Sequence, residues 1–276
     1  MTVPHMNILV TLDKGYLLQL SVMLKSLLLH NPDVIIDVYV LHQSLNESNF
    51  MEVTRSVNEE RLNIYPVLIS DEEISEFPTS KRYPKEMYFR LFSSVYLPQH
   101  LNRILYLDPD IIIINSLEKL YNSSFDSYYF MACSHVFKSG QTFNGLRLKI
   151  DKEIPYFNSG VILMNLDSMR KHIDALKIKK YIQLNKKRLL LPDQDVFSAL
   201  YGKNTKLLDS LVYNLSDRYK LLYEFKQGKN SNKITLDWIE KNTVIIHYCS
   251  RNKPWKPRYH GKLGEYYHQY LKLLKK

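Results

Sequence analysis

Short apolar runs alternate with helix-like segments through the N-terminal half of this 276-residue chain, and this alternation limits the fold more than any other feature. Apolar runs predict strands at residues 6–12, 34–42, 62–69 and 103–107. The segments between them predict helices at residues 16–30, 46–59 and 85–96. Strands that are apolar throughout are buried on both faces, and intervening helices are typical of parallel sheets. We therefore expect an α/β fold with a mostly parallel central sheet and helices on both faces.

The C-terminal half is less regular but still predicts defined elements. A loop that enters a strand is expected at residues 156–166, and a late strand at residues 244–249. Helices are expected at residues 167–187, 193–201 and 265–276, with Asp193 as the N-cap of the second. The sequence contains no internal repeat or clear linker. We therefore expect one large domain over residues 1–255 and a basic, aromatic helix within residues 256–276.

The strongly basic composition suggests three classes of partner. The net charge of +10 and the pI near 9.3 suit nucleic acid, an anionic membrane or a small ligand that carries phosphate. No helix-turn-helix, zinc-finger or RNA-binding signature occurs, so no nucleic-acid partner is expected.

Two sequence features bear on location. The two cysteines form no CxxC pair, which is typical of a reducing compartment. Residues 1–5 lack the features of a signal peptide, and no apolar run approaches the roughly 18 residues of a membrane-spanning helix. We expect a cytoplasmic protein that is soluble or attached at most to a membrane surface.

The segment Asp108-Pro109-Asp110 directly follows the apolar run at residues 103–107 and precedes another apolar run at residues 111–114. Carboxylates at positions i and i+2 of an extended backbone point to the same side. Neighbouring carboxylates repel each other unless a cation lies between them, and a divalent cation also binds diphosphate. The alternative is an ordinary turn, since Asp and Pro are common in turns. The apolar flanks favour a metal site, because charges there are costly unless they are paired.

A second motif begins at His247, which closes the apolar run at residues 244–249. A lone histidine in such a position is commonly a satisfied core residue. Lys253 follows six residues later, where a basic side chain can reach phosphate oxygens. The alternative for Lys253 is one more solvated lysine.

Three further segments carry polar residues at the ends of predicted elements. Asp193 and Gln194 lie where a helix begins, which suits either capping or contact with sugar hydroxyls. Asn158 precedes Ser-Gly at the entrance of a strand, where it suits a tight loop or a polar ligand. Asp13 follows the first strand, either as a cap or as an acid that contacts a ribose or base.

Taken in their order along the chain, these motifs resemble those of glycosyltransferase family 8, which includes bacterial lipopolysaccharide galactosyl- and glucosyltransferases and glycogenin. The most specific segments are RILYLDPD at residues 103–110, YFNSGVILMNL at 156–166, the Asp-Gln-Asp at 193–195, and His-Tyr at 247–248 with Lys-Pro-Trp at 253–255. The resemblance runs from about residue 6 to about residue 255. It implies a fold of the GT-A type and transfer of a hexose, glucose or galactose, from a UDP-sugar to a saccharide acceptor.

The resemblance also assigns roles to residues at the phosphate end of the donor. Asp108, Asp110 and His247 are implied to bind the divalent cation that bridges the UDP phosphates, and Lys253 to contact the diphosphate. An imidazole ligand favours Mn²⁺, with Mg²⁺ as the alternative. A cation and a lysine placed here would stabilise the charge that develops on departing UDP.

Donor-binding and catalytic roles follow by the same resemblance. Asp13 is implied to contact the uridine, and Arg90 to help hold the donor sugar. Asn158, Asp193 and Gln194 match donor-sugar positions, with Gln194 nearest the anomeric carbon. The family retains anomeric configuration, and a double displacement requires a nucleophile below the ring. Because the amide of Gln194 is a poor nucleophile, we expect front-face substitution assisted by the leaving phosphate.

Two residues depart from the family pattern. Ser250 stands where relatives often carry glycine, and His135 stands where the galactosyltransferase relatives carry an acid. The identity of the donor sugar and of the acceptor therefore stays open. An alternative function is a nucleotide-sugar-binding module without turnover.

The excess positive charge is concentrated in residues 177–188 and in the aromatic C-terminal segment, residues 266–276. Basic segments with aromatic residues suit an anionic membrane surface, where lipid-linked acceptors would lie. The alternative is an ordinary solvated face.

Overall fold

The computed structural model describes residues 3–70, 85–228 and 233–275, and its central sheet begins with the four strands predicted from the apolar runs. These strands are β1 (His5–Thr11), β2 (Ile35–His42), β3 (Leu62–Leu68) and β4 (Arg103–Leu107). Each end lies within one residue of the prediction. Side chains along a strand alternate between faces, so the largely buried β1, β2 and β4 are covered on both sides, whereas the edge strand β3 is mostly half-buried or exposed.

Three later strands complete this sheet within the described ranges: β6 (Phe130–Cys133), β7 (Val161–Asn165) and β8 (Thr205–Leu208). The strand order is β3-β2-β1-β4-β7-β6-β8. β7 runs antiparallel to both β4 and β6, whereas the other neighbours are parallel. The expected mostly parallel sheet is confirmed. A separate antiparallel ribbon pairs β5 (Ile111–Ile113) with β9 (Ile245–His247).

Helices flank the sheet. In chain order they are α1 (Leu17–His30), α2 (Glu47–Val57), α3 (Ser93–Tyr96), α4 (Glu118–Tyr121), α5 (Lys138–Leu148), α6 (Leu166–His172), α7 (Ala175–Asn185), α8 (Pro192–Tyr201), α9 (Ser210–Tyr213), α10 (Asp217–Gln227), α11 (Leu236–Asn242) and α12 (Gly264–Leu271). Turns of 3₁₀ helix lie at Lys14–Tyr16, Lys85–Phe92 and Gly202–Asn204. The helix predicted at residues 85–96 is therefore a 3₁₀ segment followed by α3.

Three sequence predictions of helices need correction. The single helix predicted at residues 167–187 is wrong, because α6 ends at His172 and the Asp174 side chain accepts a hydrogen bond from Leu176 N to cap α7. Asp193 is not an N-cap, because α8 already begins at Pro192, a residue well suited to the first helical position. Of the helix predicted at residues 265–276, α12 covers most, and residue 276 lies outside the described residues.

The hydrophobic core lies on both faces of the sheet. Ile8 and Val10 of β1 pack into a cluster with α1 and α2, whereas Leu9 faces a second cluster that includes α6, α7 and α8. A third cluster joins the β5–β9 ribbon to α11 and α12, with Tyr267 and Tyr270 buried. Among the described helices, none has the length and hydropathy that crossing a bilayer requires. Because this core covers the two faces of the sheet, polar side chains can lie at the carboxyl ends of β1 and β4.

Candidate active site at the end of strand β4

Asp108 and Asp110 follow the last residue of β4, where the chain turns into β5. The backbone N–H of Asp108 donates to the Gly160 carbonyl at 2.8 Å, and this bond extends the β4–β7 pairing by one residue. Pro109 cannot donate a backbone hydrogen bond, and regular pairing stops there. The Tyr106 hydroxyl donates to Asp108 Oδ1 at 2.6 Å. The segment is thus a turn, and the same turn presents both carboxylates.

His247 reaches these carboxylates because β9 pairs with β5. The register places His247 opposite Ile111, one residue beyond Asp110. His247 Nε2 lies 3.1 Å from Asp110 Oδ1 and 3.6 Å from Asp108 Oδ2. One ligand atom from each of the three residues fits within a span of 4.8 Å. Residues more than 130 positions apart in the chain therefore converge as the sequence predicts.

The chemistry of this cluster fits a divalent cation. Asp110 Oδ1 and His247 Nε2 are buried, and neither makes a hydrogen bond within the described part of the chain. Buried polar atoms without such partners are rare and costly unless something else satisfies them. Gly160 completes the cradle, because a Cβ there would overlap His247 and lie 2.6 Å from Asp108 Oδ2. Two carboxylates and one imidazole nitrogen form a donor set that suits Mn²⁺ better than Ca²⁺.

Lys253 lies beside Asp110. Its ammonium group contacts Asp110 Oδ2 and donates to the Tyr248 carbonyl at 2.6 Å. Burial alone raises the pKa of Asp110, but Lys253 and then His247 outweigh it and hold that pKa below its ordinary value. Burial lowers the pKa of Lys253, and Asp110 reverses this effect, so the pKa of Lys253 is raised. The pair therefore stays ionised at neutral pH.

Arg90 connects the carboxylate cluster to α8. Its Nη1 lies 3.0 Å from Asp108 Oδ1 and 3.4 Å from Asp193 Oδ2, and it donates to the Ser159 carbonyl at 3.0 Å. The guanidinium carbon stands 4.2 Å from the centre of the Tyr106 ring, within the range of a cation–π contact. Burial lowers the pKa of Arg90, but Asp108 and Asp193 more than offset it and raise that pKa.

Asn158, Asp193 and Gln194 form a second polar group that lines the same cleft as the carboxylate cluster. The Asn158 amide donates from Nδ2 to Gln194 Oε1 at 3.3 Å, and the Ser159 hydroxyl donates to Asp193 Oδ2 at 2.7 Å. Burial raises the pKa of Asp193 despite the neighbouring Arg90. Tertiary contacts therefore bring together the two predicted sugar-binding segments.

Asp13 lies at the edge of the site. Its carboxylate accepts from Gly15 N at 2.7 Å and caps the 3₁₀ turn that follows β1, as the capping interpretation predicts. It also lines a cavity of about 200 Å³ that is shared with Tyr16, Asp108 and Asp110. The structure thus places Asp13 near the carboxylates without direct contact.

Asp195, the last acid of the Asp-Gln-Asp segment, points away from the cleft. It is fully buried and accepts hydrogen bonds from Arg147 at 2.7 and 2.8 Å and from Tyr156 at 2.7 Å. The backbone N–H groups of Leu190 and Leu191 also donate to it. Its oxygens are therefore fully engaged in holding the loop before α8.

All of the predicted site residues except Asp13 line one open cleft of about 560 Å³. Arg251, Lys253 and Lys256 supply positive charge along one side of it. Sequence reasoning missed Asn214, whose side chain contacts both His247 and Asn158. It carries no local motif and lies 33 residues from His247, so only tertiary structure reveals it.

Comparisons with known proteins agree with this geometry. A family model described as Glycosyl transferase family 8 matches residues 7–258. The chain is 27% identical over 257 residues to a lipopolysaccharide 1,2-glucosyltransferase of Escherichia coli (strain K12), covering 91% of this chain and 72% of that protein. It is 25% identical over 260 residues to a lipopolysaccharide 1,3-galactosyltransferase of Salmonella typhimurium, covering 90% and 72%.

The structure is also similar to a solved one, that of the galactosyltransferase LgtC in complex with donor and acceptor sugar analogues. The TM-score is 0.83 at 24% sequence identity, over 98% of this chain and 97% of that one. This likeness confirms the expected GT-A fold.

Proposed function

Because this chain belongs to glycosyltransferase family 8, we propose that it transfers a hexose, glucose or galactose, from a UDP-sugar to a saccharide acceptor. The proposal depends above all on the convergence of Asp108, Asp110 and His247 in a cleft lined with basic side chains. A divalent cation held by these three residues would neutralise the charge of the departing diphosphate. We propose Mn²⁺ as this cation, with Mg²⁺ as the alternative.

The basic residues have complementary roles in this proposal. Lys253, already among the carboxylates, contacts the diphosphate and stabilises charge as the bond to the sugar breaks. Arg90 holds Asp108 and Asp193 in fixed positions and helps to bind the donor sugar. Asp13, in the adjoining cavity, contacts the uridine.

The polar group of Asn158, Asp193 and Gln194 binds the donor sugar. These residues offer amide and carboxylate groups to the cleft. Such groups suit sugar hydroxyls, because each hydroxyl both donates and accepts hydrogen bonds. Gln194 lies nearest the anomeric carbon in this proposal.

We propose transfer with retention of configuration by front-face substitution. A double displacement requires a free carboxylate nucleophile. Asp195 has no free oxygen, Asp193 is hydrogen-bonded to Ser159, and Gln194 is a neutral amide. Mass spectrometry of enzyme trapped during turnover should therefore detect no glycosyl adduct, and an adduct on Asp193 would contradict this mechanism.

A donor panel tests the function directly. Release of UDP is measured for each nucleotide sugar with Mn²⁺, with and without saccharide acceptors. We expect turnover with UDP-glucose or UDP-galactose and loss of turnover in EDTA or in Asp110→Asn. Binding of a UDP-sugar without turnover on any acceptor would instead indicate a nucleotide-sugar-binding module. Transfer that persists fully in chelator would contradict the metal-dependent proposal.

The names of the relatives and the basic segments suggest where the acceptor lies. We propose a glycan of the cell envelope as acceptor, reached from the cytoplasmic side by peripheral contact of residues 256–276 with an anionic membrane. Lys272 and Lys275 are exposed at the end of α12, so charge reversal at both should reduce co-sedimentation with anionic liposomes. The exposed pair Lys149 and Lys152, which lies outside both basic segments, is the matched control. Equal binding by all variants would contradict membrane contact through α12.

A further inference from the structure

The side chain of Asn214 lies directly behind the imidazole of His247. Asn214 is fully buried, and its Oδ1 stands 2.9 Å from His247 Nδ1, on the side of the ring opposite the two carboxylates. The backbone fixes this position, because Leu215 N donates to Ile245 O and His247 N donates to Leu215 O. The residue after Asn214 is thus hydrogen-bonded to β9 itself.

A backbone N–H group determines how the amides in this cluster are oriented. Gly160 N can only donate, and its partner at 3.0 Å is Asn158 Oδ1. Since that oxygen is an acceptor, the Asn214 atom 3.0 Å from it must be the donor Nδ2. Asn214 Oδ1 then faces His247 and accepts from it.

This chain of bonds determines the tautomer of His247. A neutral imidazole carries its proton on one nitrogen and a lone pair on the other. With Asn214 Oδ1 as acceptor, the proton lies on Nδ1 and the lone pair on Nε2. Nε2 is the atom that faces Asp108 and Asp110.

We propose that Asn214 is a positioning residue that holds His247 in the Nδ1–H tautomer and thereby prepares Nε2 to bind the cation. This inference rests on the proposed function, because it assumes that His247 is a metal ligand. Hydrogen-bond partners behind a ligating histidine fix its ring and tautomer, and their loss typically weakens metal binding about 10- to 100-fold. The relay also reaches the donor side, because Asn158 donates to Gln194.

Mn²⁺ affinity without nucleotide sugar tests the proposal. Free Mn²⁺ is titrated by electron paramagnetic resonance, so the readout needs no turnover. We expect Asn214→Ala to weaken Mn²⁺ binding about 10- to 100-fold. Asn214→Asp keeps an oxygen acceptor for His247 but loses the donor to Asn158 Oδ1, so its Mn²⁺ affinity should lie between those of the parent and Asn214→Ala. Asn144→Ala is the control, since Asn144 is also buried but contacts Arg147 instead.

A double-mutant cycle separates positioning from a general loss of structure. In a His247→Ala background, Asn214→Ala should change Mn²⁺ affinity less than about twofold, because the ring it positions is absent. An equal loss in both backgrounds would overturn the proposal, and so would parent-like affinity of a folded Asn214→Ala protein.

The tautomer itself can be measured on metal-free protein. Nitrogen-15 NMR of labelled histidine should show His247 protonated at Nδ1, the atom that faces Asn214 Oδ1. A bare Nδ1 would overturn the inference even if Asn214→Ala fails to fold. If the parent protein binds no Mn²⁺ while the tautomer is as expected, the proposed function fails and the positioning geometry stands.

Discussion

Asp193 and Asp195 lie two residues apart in the first turn of α8, yet their surroundings differ completely. Asp193 faces the cleft beside Arg90, whereas Asp195 is enclosed by Arg147, Tyr156 and two backbone N–H groups. A buried carboxylate with this many donors stabilises structure, and its removal leaves Arg147 without its partner. Two aspartates at the start of one helix therefore differ in role: Asp193 lines the candidate site, whereas Asp195 stabilises the structure.

Replacement of Asp195 should mainly affect stability. We expect Asp195→Ala to lower the free energy of unfolding by about 3–5 kcal/mol, the usual cost of breaking a buried ion pair. Asp193→Asn should leave unfolding much less changed while reducing turnover. Denaturant titrations of both variants measure this difference. Equal stability of Asp195→Ala and the parent would contradict the structural role.

His135 should make stability depend on pH. Burial lowers its pKa from 6.5 to about 4, and its Nε2 is 2.6 Å from the Asn214 carbonyl oxygen. Because the folded-state pKa is the lower one, the unfolded chain binds the extra proton between these pH values. The free energy of unfolding should therefore fall as pH decreases from 6.5 to 4, by at most about 3 kcal/mol.

The variant His135→Gln can still donate to that carbonyl and does not titrate. Denaturant titrations between pH 4 and 6.5 should show a smaller loss of stability in this variant. Part of the loss should remain, because burial also lowers the pKa values of His30 and His42, which both proteins keep. Parallel pH profiles for parent and variant would contradict the assignment.

At the scale of elements, the sequence predicts best the positions of those strands and helices that burial alone determines. The strands β1, β2 and β4 are largely apolar because both of their faces are covered, whereas β3 lies at the sheet edge and is mostly half-buried or exposed; the ends of all four strands match the predicted runs within one residue. The direction of β7 was not predictable, since an apolar run is equally buried in a parallel or an antiparallel strand. The division between α6 and α7 depends on one side-chain cap at Asp174, which periodicity does not register.

The same reasoning applies to the site. Asp108, Asp110 and His247 each lie beside or at the end of an apolar strand. They can be recognised in the sequence because they are polar residues next to apolar runs. Asn214 follows the short helix α9 and precedes α10, where an asparagine is unremarkable. Its contact with His247 depends on the pairing of its neighbour Leu215 with β9.

The entrance to β7 has no room for a single added methyl group at Gly160. A Cβ at Gly160 would overlap His247 and lie 2.6 Å from Asp108 Oδ2. We expect Gly160→Ala to displace one of these side chains and weaken Mn²⁺ binding at least about tenfold, as comparable disturbances around metal sites do. Gly140→Ala on α5 is the control, because its Cβ would meet only the Val136 side chain. Mn²⁺ titration compares the two, and unchanged affinity in Gly160→Ala would contradict the geometry.

At the scale of the whole molecule, the C-terminal segment is packed against the rest of the chain. α12 contacts α1, and Leu263, Tyr267 and Tyr270 are buried in the third cluster. The His30 imidazole lies 2.7 Å from the Tyr270 hydroxyl, and Lys275 N donates to the Ser56 carbonyl. Membrane contact by this segment would therefore use its exposed side rather than a detached helix.

Loss of a buried tyrosine here should destabilise the whole protein. We expect Tyr267→Ala to lower the free energy of unfolding by about 3 kcal/mol or more, the typical cost of truncating a buried aromatic residue. Gln269→Ala, on the exposed side of α12, should change it by less than about 0.5 kcal/mol. Thermal and denaturant unfolding compare them. If Tyr267→Ala unfolds like the parent, α12 behaves as an independent appendage.

The pairing of β5 with β9 has a consequence for the biosynthesis of the protein. The ribosome synthesises both aspartates well before the histidine that completes their cluster. A nascent or prematurely terminated product that stops short of β9 would carry two repelling carboxylates and no imidazole. Capture of a cation by all three side chains would thus require that β9 has been synthesised and has paired with β5.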